Sequence, residues 1–195
     1  MKFPLQLTFP IISVAQQFTV TDADENTVCY VRQKILKIRE AIEVFTDKKR
    51  TTKICDIKAD RIIDFSATYQ FFDTDGKVFG AVARKGMRSI FKAHYEIFEN
   101  DKADMIINEE NPFVKMIDGF IGQIPIVGAF TGLMFHPSYL VADAETGKEL
   151  IRIRKQSSFF EAKFTLEQLC DLDDDDELRI VLSTIMLVLL EKDRG

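Results

Sequence analysis

Acidic and amide side chains fall at alternate positions in the stretch FTVTDADENTVCYV, which covers Phe18 to Val31. Their spacing matches the first, third and fifth ligand positions of an EF-hand calcium loop: Asp22, Asp24 and Asn26. Such a loop needs Gly at its sixth position and a bidentate Glu at its twelfth, and this chain has Thr27 and Gln33 there. The flanks also alternate as strands do. We therefore expect a turn between two strands and no metal site.

Three further segments repeat the same order of an aromatic residue, an apolar residue, an acid, a polar tip and a second apolar run. They cover Tyr69–Val82, Tyr139–Ile153 and, as a weaker copy, Tyr95–Ile107. Asp-Gly at 75–76 and Thr-Gly at 146–147 are hairpin signals, because Gly tolerates the positive φ that such turns need. Asp and Asn at the tips accept hydrogen bonds from their own backbone. The repeat predicts a series of β-hairpins.

Period-two alternation predicts roughly ten to twelve strands in all. From Phe18 to about Ile107 strands alternate with short turns, and Ile42–Phe45 pairs with Thr51–Ile57. Near the end of the chain, IRIRKQ and FEAKFTLE alternate in the same way, with Ile151 and Ile153 on one face. Each such strand has one buried face and one solvated face.

The last segment, DLDDDDELRIVLSTIMLVLLEKDRG, predicts a helix from about Glu177 to Leu190. The acids suit the positive end of the helix dipole, and either Asp175 or Asp176 is the expected N-cap. The apolar centre of about twelve residues is too short for a bilayer, which needs roughly 20. Its only polar residues are Ser183 and Thr184, so the helix must be buried on every side.

A closed sheet offers such a helix a place, because inward side chains cover all its faces and closure removes exposed strand edges. We therefore predict a mainly β fold, a closed antiparallel barrel of about twelve strands around a central hydrophobic C-terminal helix. The alternative is a helix packed between a sheet and a second protein.

Composition fits one domain spanning residues 1–195. A net charge of −5 argues against a nucleic-acid partner. Cys29, Cys55 and Cys170 are far apart and in no metal spacing, which indicates reduced, mostly buried thiols in an intracellular protein. Pro4 and Pro10 interrupt the N-terminal apolar stretch, so we expect no secretion signal and a cytoplasmic protein, at most peripheral to a membrane. We expect no cofactor.

A basic cluster in ARKGMRSIFKAHYEIF is the candidate site for an anionic lipid headgroup or a phosphate. It consists of Arg84, Lys85, Arg88 and Lys92. The alternative is a solvated edge whose charges discourage pairing between sheets.

The segment Asn111–Pro137 breaks the hairpin rhythm. Asn111 and Pro112 suit the start of a helix, and a Gly-punctuated apolar tract follows. We interpret this apolar tract as a helix-containing insertion, either a buried lid or an exposed interface. The candidate contacts with a membrane, a protein partner or a second copy are Phe120, Ile121, Ile124 and Ile126.

No catalytic pattern supports an enzyme. The two histidines, His94 and His136, have no nucleophile or metal partner in local spacing, and no phosphate loop or nucleophile elbow is present. An enzyme whose site is assembled from distant residues remains a third, disfavoured interpretation.

The hairpin series, FFEAKFTLEQL, the acidic stretch and the terminal helix together resemble the LURP-one-related and phospholipid-scramblase-like family. The resemblance runs from about Phe18 to Arg194. It implies the Tubby C-terminal fold, a twelve-stranded barrel around a central helix. Tubby-like domains bind membrane phosphoinositides through basic surface residues, and eukaryotic scramblases are linked to calcium-dependent lipid movement.

This chain departs from the scramblases in three features. It has no cysteine cluster, its DLDDDDE lacks the Gly and the ligand spacing of a calcium loop, and its terminal helix is short. The resemblance therefore implies a non-enzymatic, lipid- or membrane-associated binding module. The alternative is a soluble scaffold or regulatory protein that binds a protein partner through the 111–137 tract.

Overall fold

The computed structural model describes residues 1–10, 15–34, 42–60, 68–85, 94–110, 138–158 and 161–192, apart from the side chains of residues 15–16, 32–34 and 192. These residues form twelve strands and one helix. The strands are β1 (Leu5–Pro10), β2 (Ala15–Thr21), β3 (Thr27–Lys34), β4 (Ile42–Phe45), β5 (Lys53–Ala59), β6 (Thr68–Phe72), β7 (Val78–Arg84), β8 (His94–Glu99), β9 (Lys102–Glu109), β10 (Ser138–Asp143), β11 (Glu149–Gln156) and β12 (Glu161–Gln168), and the helix is α1 (Asp174–Lys192).

The strands close into one barrel. Each strand pairs antiparallel with its neighbours in sequence, and β1 pairs with β12 to close the ring, with Leu5 opposite Leu166. The predicted fold class, a closed barrel around a hydrophobic helix, is confirmed. The closing strand β1 lies before Phe18, where the expected pattern began. Leu5, Leu7 and Phe9 alternate into the interior, and Pro10 is the last residue of β1.

The turns confirm the predicted hairpins. Gly76 and Gly147 have φ of 81° and 71°, the left-handed conformation that Gly adopts without steric cost. In the weaker copy, Asn100 and Asp101 adopt positive φ of 45° and 66° between β8 and β9. Asn and Asp tolerate this region better than other side chains do, which explains a two-residue turn without Gly.

The helix fills the barrel. Leu182 and Ile185 are fully buried and Leu189 is 4% exposed, as the apolar pattern predicts. The helix begins at Asp174, earlier than expected, and its N-cap is Asp173 and not Asp175 or Asp176. The Asp173 Oδ1 accepts a hydrogen bond from the backbone N–H of Asp176 at 2.8 Å. This bond satisfies one of the backbone N–H groups in the first turn that have no partner within the helix.

The two ends of the barrel differ because the strands run alternately up and down. We call the end where α1 begins the turn end. It carries the short turns 22–26, 46–52, 73–77, 100–101 and 144–148. We call the other end, where α1 finishes, the loop end. The strand ends that flank residues 11–14, 35–41, 61–67, 86–93, 111–137 and 157–160 all lie there.

The cysteines lie as expected. Cys29 and Cys55 are buried, Cys170 is half-buried, and all three are unpaired. Burial raises the pKa of both buried thiols, Cys29 and Cys55, to about 12, so both stay protonated near neutral pH.

Candidate functional site

The barrel interior is occupied by the helix. The six consecutive side chains from Ile180 to Ile185 have no exposed surface, and they pack against inward residues of the strands. A close-packed interior has no room for a ligand. A binding site must therefore lie on the outer face or at one of the ends.

Three acids of the turn end accept hydrogen bonds within their own turns. The Oδ1 atoms of Asp22, Asp73 and Asp143 each accept two backbone N–H groups of the same turn, at 2.7 to 3.1 Å. These bonds order the hairpin tips. They also explain why Asp recurs at this position in three of the four repeats.

A buried arginine fixes the helix at the turn end. Arg179 is 2% exposed, and it donates hydrogen bonds to Asp104 of β9 at 2.7 Å and to Asp176 of its own helix. Its aliphatic stem passes over the backbone of Gly80 in β7, where a Cβ would lie 2.8 Å from the Arg179 Cδ. The sequence did not lead us to expect a buried charge here, and the signal that could have found it was a Gly inside a strand, which indicates close approach.

The connections at the loop end have a different composition from the turns. Each contains at least two large apolar residues, whereas the five hairpin turns of the turn end contain none. Six basic residues stand against three acids: Lys37, Arg39, Arg61, Arg88, Lys92 and Lys115 against Glu40, Asp64 and Asp118. The turn end instead carries the acidic run 173–177, and its five turns hold eight acids against five basic residues. The chain is therefore acidic at one end and apolar and basic in the connections at the other.

Arg84 lies where the helix reaches the loop end. Its Nη2 is 3.3 Å from the Oε1 of Glu191, near the end of α1, and its guanidinium lies 5.8 Å from the ring centre of Tyr95. The Tyr95 hydroxyl donates to the same Glu191 oxygen at 2.7 Å. Burial, and next the bond to Glu191, raise the pKa of Tyr95 well above its usual range. The Tyr95 hydroxyl therefore stays protonated and remains a hydrogen-bond donor. Through Glu191, Tyr95 ties the helix to β8 and Arg84 ties it to β7.

Of the three remaining candidate cations, Lys85 lies within the described residues. The Nζ of Lys85 lies 2.9 Å from Glu96, and its side chain is about half exposed, so it stays accessible to an anion. Arg88 and Lys92 lie outside the described residues. The candidate membrane or partner contacts also lie outside them, namely Phe120, Ile121, Ile124 and Ile126.

The base of the 111–137 tract is held by a polar cluster that sequence reasoning missed. The backbone N–H of Glu110 donates to the carbonyl of Ser138 at 2.8 Å, and the Ser138 hydroxyl donates to the Glu110 carboxylate. Arg152 of β11 donates to the other Glu110 oxygen at 3.3 Å. These contacts fix the two points at which the tract joins the barrel.

His94 is the one histidine among the described residues. His94 contacts Asn108 through its Nδ1, at 2.6 Å from the Asn108 Oδ1. No three His, Cys, Asp or Glu residues in those ranges are grouped so that they could hold a metal ion. Among the described helical residues, no helix has both the length and the apolar character to span a bilayer.

Comparison of the chain with protein-family models, with curated proteins and with solved structures found no match.

Proposed function

We propose that the protein is a non-enzymatic binding module that associates with anionic membranes through the loop end of its barrel, in the manner that its resemblance to scramblase-like and LURP-one-related proteins implies. The observation that carries the proposal is the contrast between the two ends. Apolar and basic residues are concentrated in the connections that join strand ends at the loop end, and acids are concentrated at the turn end.

The physical basis is the sum of two weak attractions. Basic side chains near an anionic lipid surface contribute roughly 1 kcal/mol each, and apolar side chains gain by entering the headgroup region. The acidic turn end would be repelled by the same surface, so the field of the protein favours one orientation. The filled interior favours contact at an end over enclosure of a single lipid.

Of the two described members of the basic cluster, Arg84 and Lys85, Lys85 is better suited to a headgroup, because its side chain is half exposed at the loop end. Arg84 has a different role in this proposal. Its pairing with Glu191 holds the end of α1 against β7, so Arg84 supports the surface and does not supply its charge.

Vesicle co-sedimentation tests the proposal. The protein should sediment with vesicles of phosphatidylcholine and phosphatidylserine and stay in the supernatant with phosphatidylcholine alone. The double variant Arg88→Gln/Lys92→Gln should lose about 2 kcal/mol of binding free energy, or roughly thirtyfold in partitioning. Lys48→Gln/Lys49→Gln, which makes the same charge change in a turn of the turn end, is the matched control and should bind as the wild type does.

A second double variant, Phe120→Ser/Ile126→Ser, separates an exposed interface from a buried lid. An interface should lose vesicle binding or self-association with little change in melting temperature. A buried lid should lose about 2–5 kcal/mol of stability for each large side chain removed. Retained vesicle binding in both double variants would contradict the proposal, and loss of self-association alone would favour a scaffold that binds protein.

A further inference from the structure

A groove runs along the outer face of β6, β7 and β8 and encloses about 450 Å³. The groove arises from differences in side-chain size between three neighbouring strands. The register places Gln70 of β6 and Phe98 of β8 on either side of Ala81 of β7. A small residue between two longer ones leaves a channel above β7. The volume falls in the range of about 300–1,000 Å³ that is typical of small-molecule sites.

The floor of the groove is screened from solvent. Ala81 faces outward, since its neighbour Val82 is fully buried in the core, yet Ala81 is only 8% exposed. With Val78 and Phe98, Ala81 gives the groove an apolar strip. An aliphatic chain laid on this strip would remove apolar surface from water, which is favourable.

The two ends of the groove carry oxygen acceptors. Asp60 and Thr68 line one end, Asn100 and Asp101 line the other, and Gln70 lies between. None of the described residues that line the groove is basic. Carboxylate, amide and hydroxyl oxygens together with an apolar strip suit a cation with an aliphatic stem, because an ammonium has three N–H donors and no acceptor.

We propose that this groove binds an alkylammonium group, with the ammonium at Asp101 and the stem along Ala81 and Phe98. A free aliphatic diamine and a lysine side chain of a partner protein both have this chemistry. The site lies on the side of the barrel and does not depend on membrane association.

A titration followed by NMR tests the site with hexamethylenediamine as the probe and hexanediol, which has the same stem without charge, as its control. The diamine should saturate the amide shifts of Ala81, Phe98 and Asp101, and hexanediol should not. Nα-acetyl-lysine methylamide then identifies the source. Tighter binding of the diamine points to a free diamine, and equal affinity points to a lysine side chain.

Substitutions distinguish the groove from general attraction to an acidic protein. Asp101→Asn should weaken diamine binding about fivefold, the upper value for one partly exposed ion pair. Ala81→Leu, which fills the floor, should abolish it in a protein with an unchanged circular dichroism spectrum. Asp175→Asn removes a charge from the helix start outside the groove and should leave binding unchanged. Equal weakening by Asp175→Asn, equal binding of hexanediol or the absence of saturation would overturn the proposal.

Discussion

The side chain of Arg179 occupies the space that a side chain on Gly80 would need. A Cβ on Gly80 would lie 2.8 Å from the Cδ of Arg179 and 3.2 Å from the carbonyl oxygen of Phe98. Because Arg179 is held by Asp104 and Asp176, its stem has little freedom to move aside. The missing side chain on β7 is therefore what allows a buried arginine to join the helix to the wall of the barrel.

Gly80→Ala should lower the free energy of unfolding by about 1–3 kcal/mol, the usual cost of overpacking a core. Denaturant unfolding measures the change, and a double-mutant cycle identifies its cause. Arg179→Ala removes the atom that the new methyl group meets, so the double variant should lose less stability than the sum of the two single variants. Strictly additive losses would show that the strain lies elsewhere.

A second prediction concerns the helix at the centre of the barrel. Ile185→Asp places an unpaired carboxylate where the side chain has no exposed surface, which costs several kcal/mol. Because a domain has only about 5–15 kcal/mol of stability, thermal unfolding should show a barely folded or unfolded protein.

The control at the same position is Ile185→Val, which should lose only about 0.5–1.5 kcal/mol. An Ile185→Asp protein that melts at the wild-type temperature would place the helix outside the barrel.

The hairpin tips predict a response to acid. Hydrogen bonds from Thr146, first from its hydroxyl and then from its backbone N–H, lower the pKa of Asp143 below its ordinary value of 3.8. A lowered pKa means that the ionised form favours the folded state. Its contribution is therefore present above pH 3.8 and is lost as the pH falls through the lower, folded-state pKa.

An NMR titration of the Asp143 carboxyl carbon should give a pKa below 3.8. Thr146→Val removes the hydroxyl and should move that pKa back toward 3.8, while the hairpin stays formed. A pKa that does not change in Thr146→Val would show that this hydroxyl does not stabilise the carboxylate.

Much of the fold follows from short-range patterns. Period-two alternation identifies the strands, Gly at 76 and 147 identifies two turns, and a helix apolar on every side requires an enclosing sheet. Strand β1 was missed because Pro4 before it and Pro10 at its end obscure an alternation of only six residues. Arg179 was missed because the pattern of a single helix does not show that β7 and β9 provide a gap and a carboxylate for it.

The candidate site was less accessible to sequence reasoning. The basic cluster at 84–92 was found as a run of charges, but one of its members, Arg84, is paired with Glu191, more than 100 positions along the chain. The second cluster likewise joins Glu110, just after β9, and Ser138, at the start of β10, to Arg152 in the middle of β11. Such contacts are set by barrel closure, which no local pattern encodes.

The orientation of the barrel on a membrane tests the account most directly. In a Cys170→Ser background, a fluorescent dye is attached at Ser158→Cys of the loop end or at Thr74→Cys of the turn end, both exposed polar positions. The two ends are separated by the length of α1, about 28 Å at 1.5 Å per residue. With anionic vesicles that carry a nitroxide on the lipid headgroup, the dye at position 158 should be quenched and the dye at position 74 should not. Quenching at position 74, equal quenching at both, or quenching at neither would contradict membrane association through the loop end.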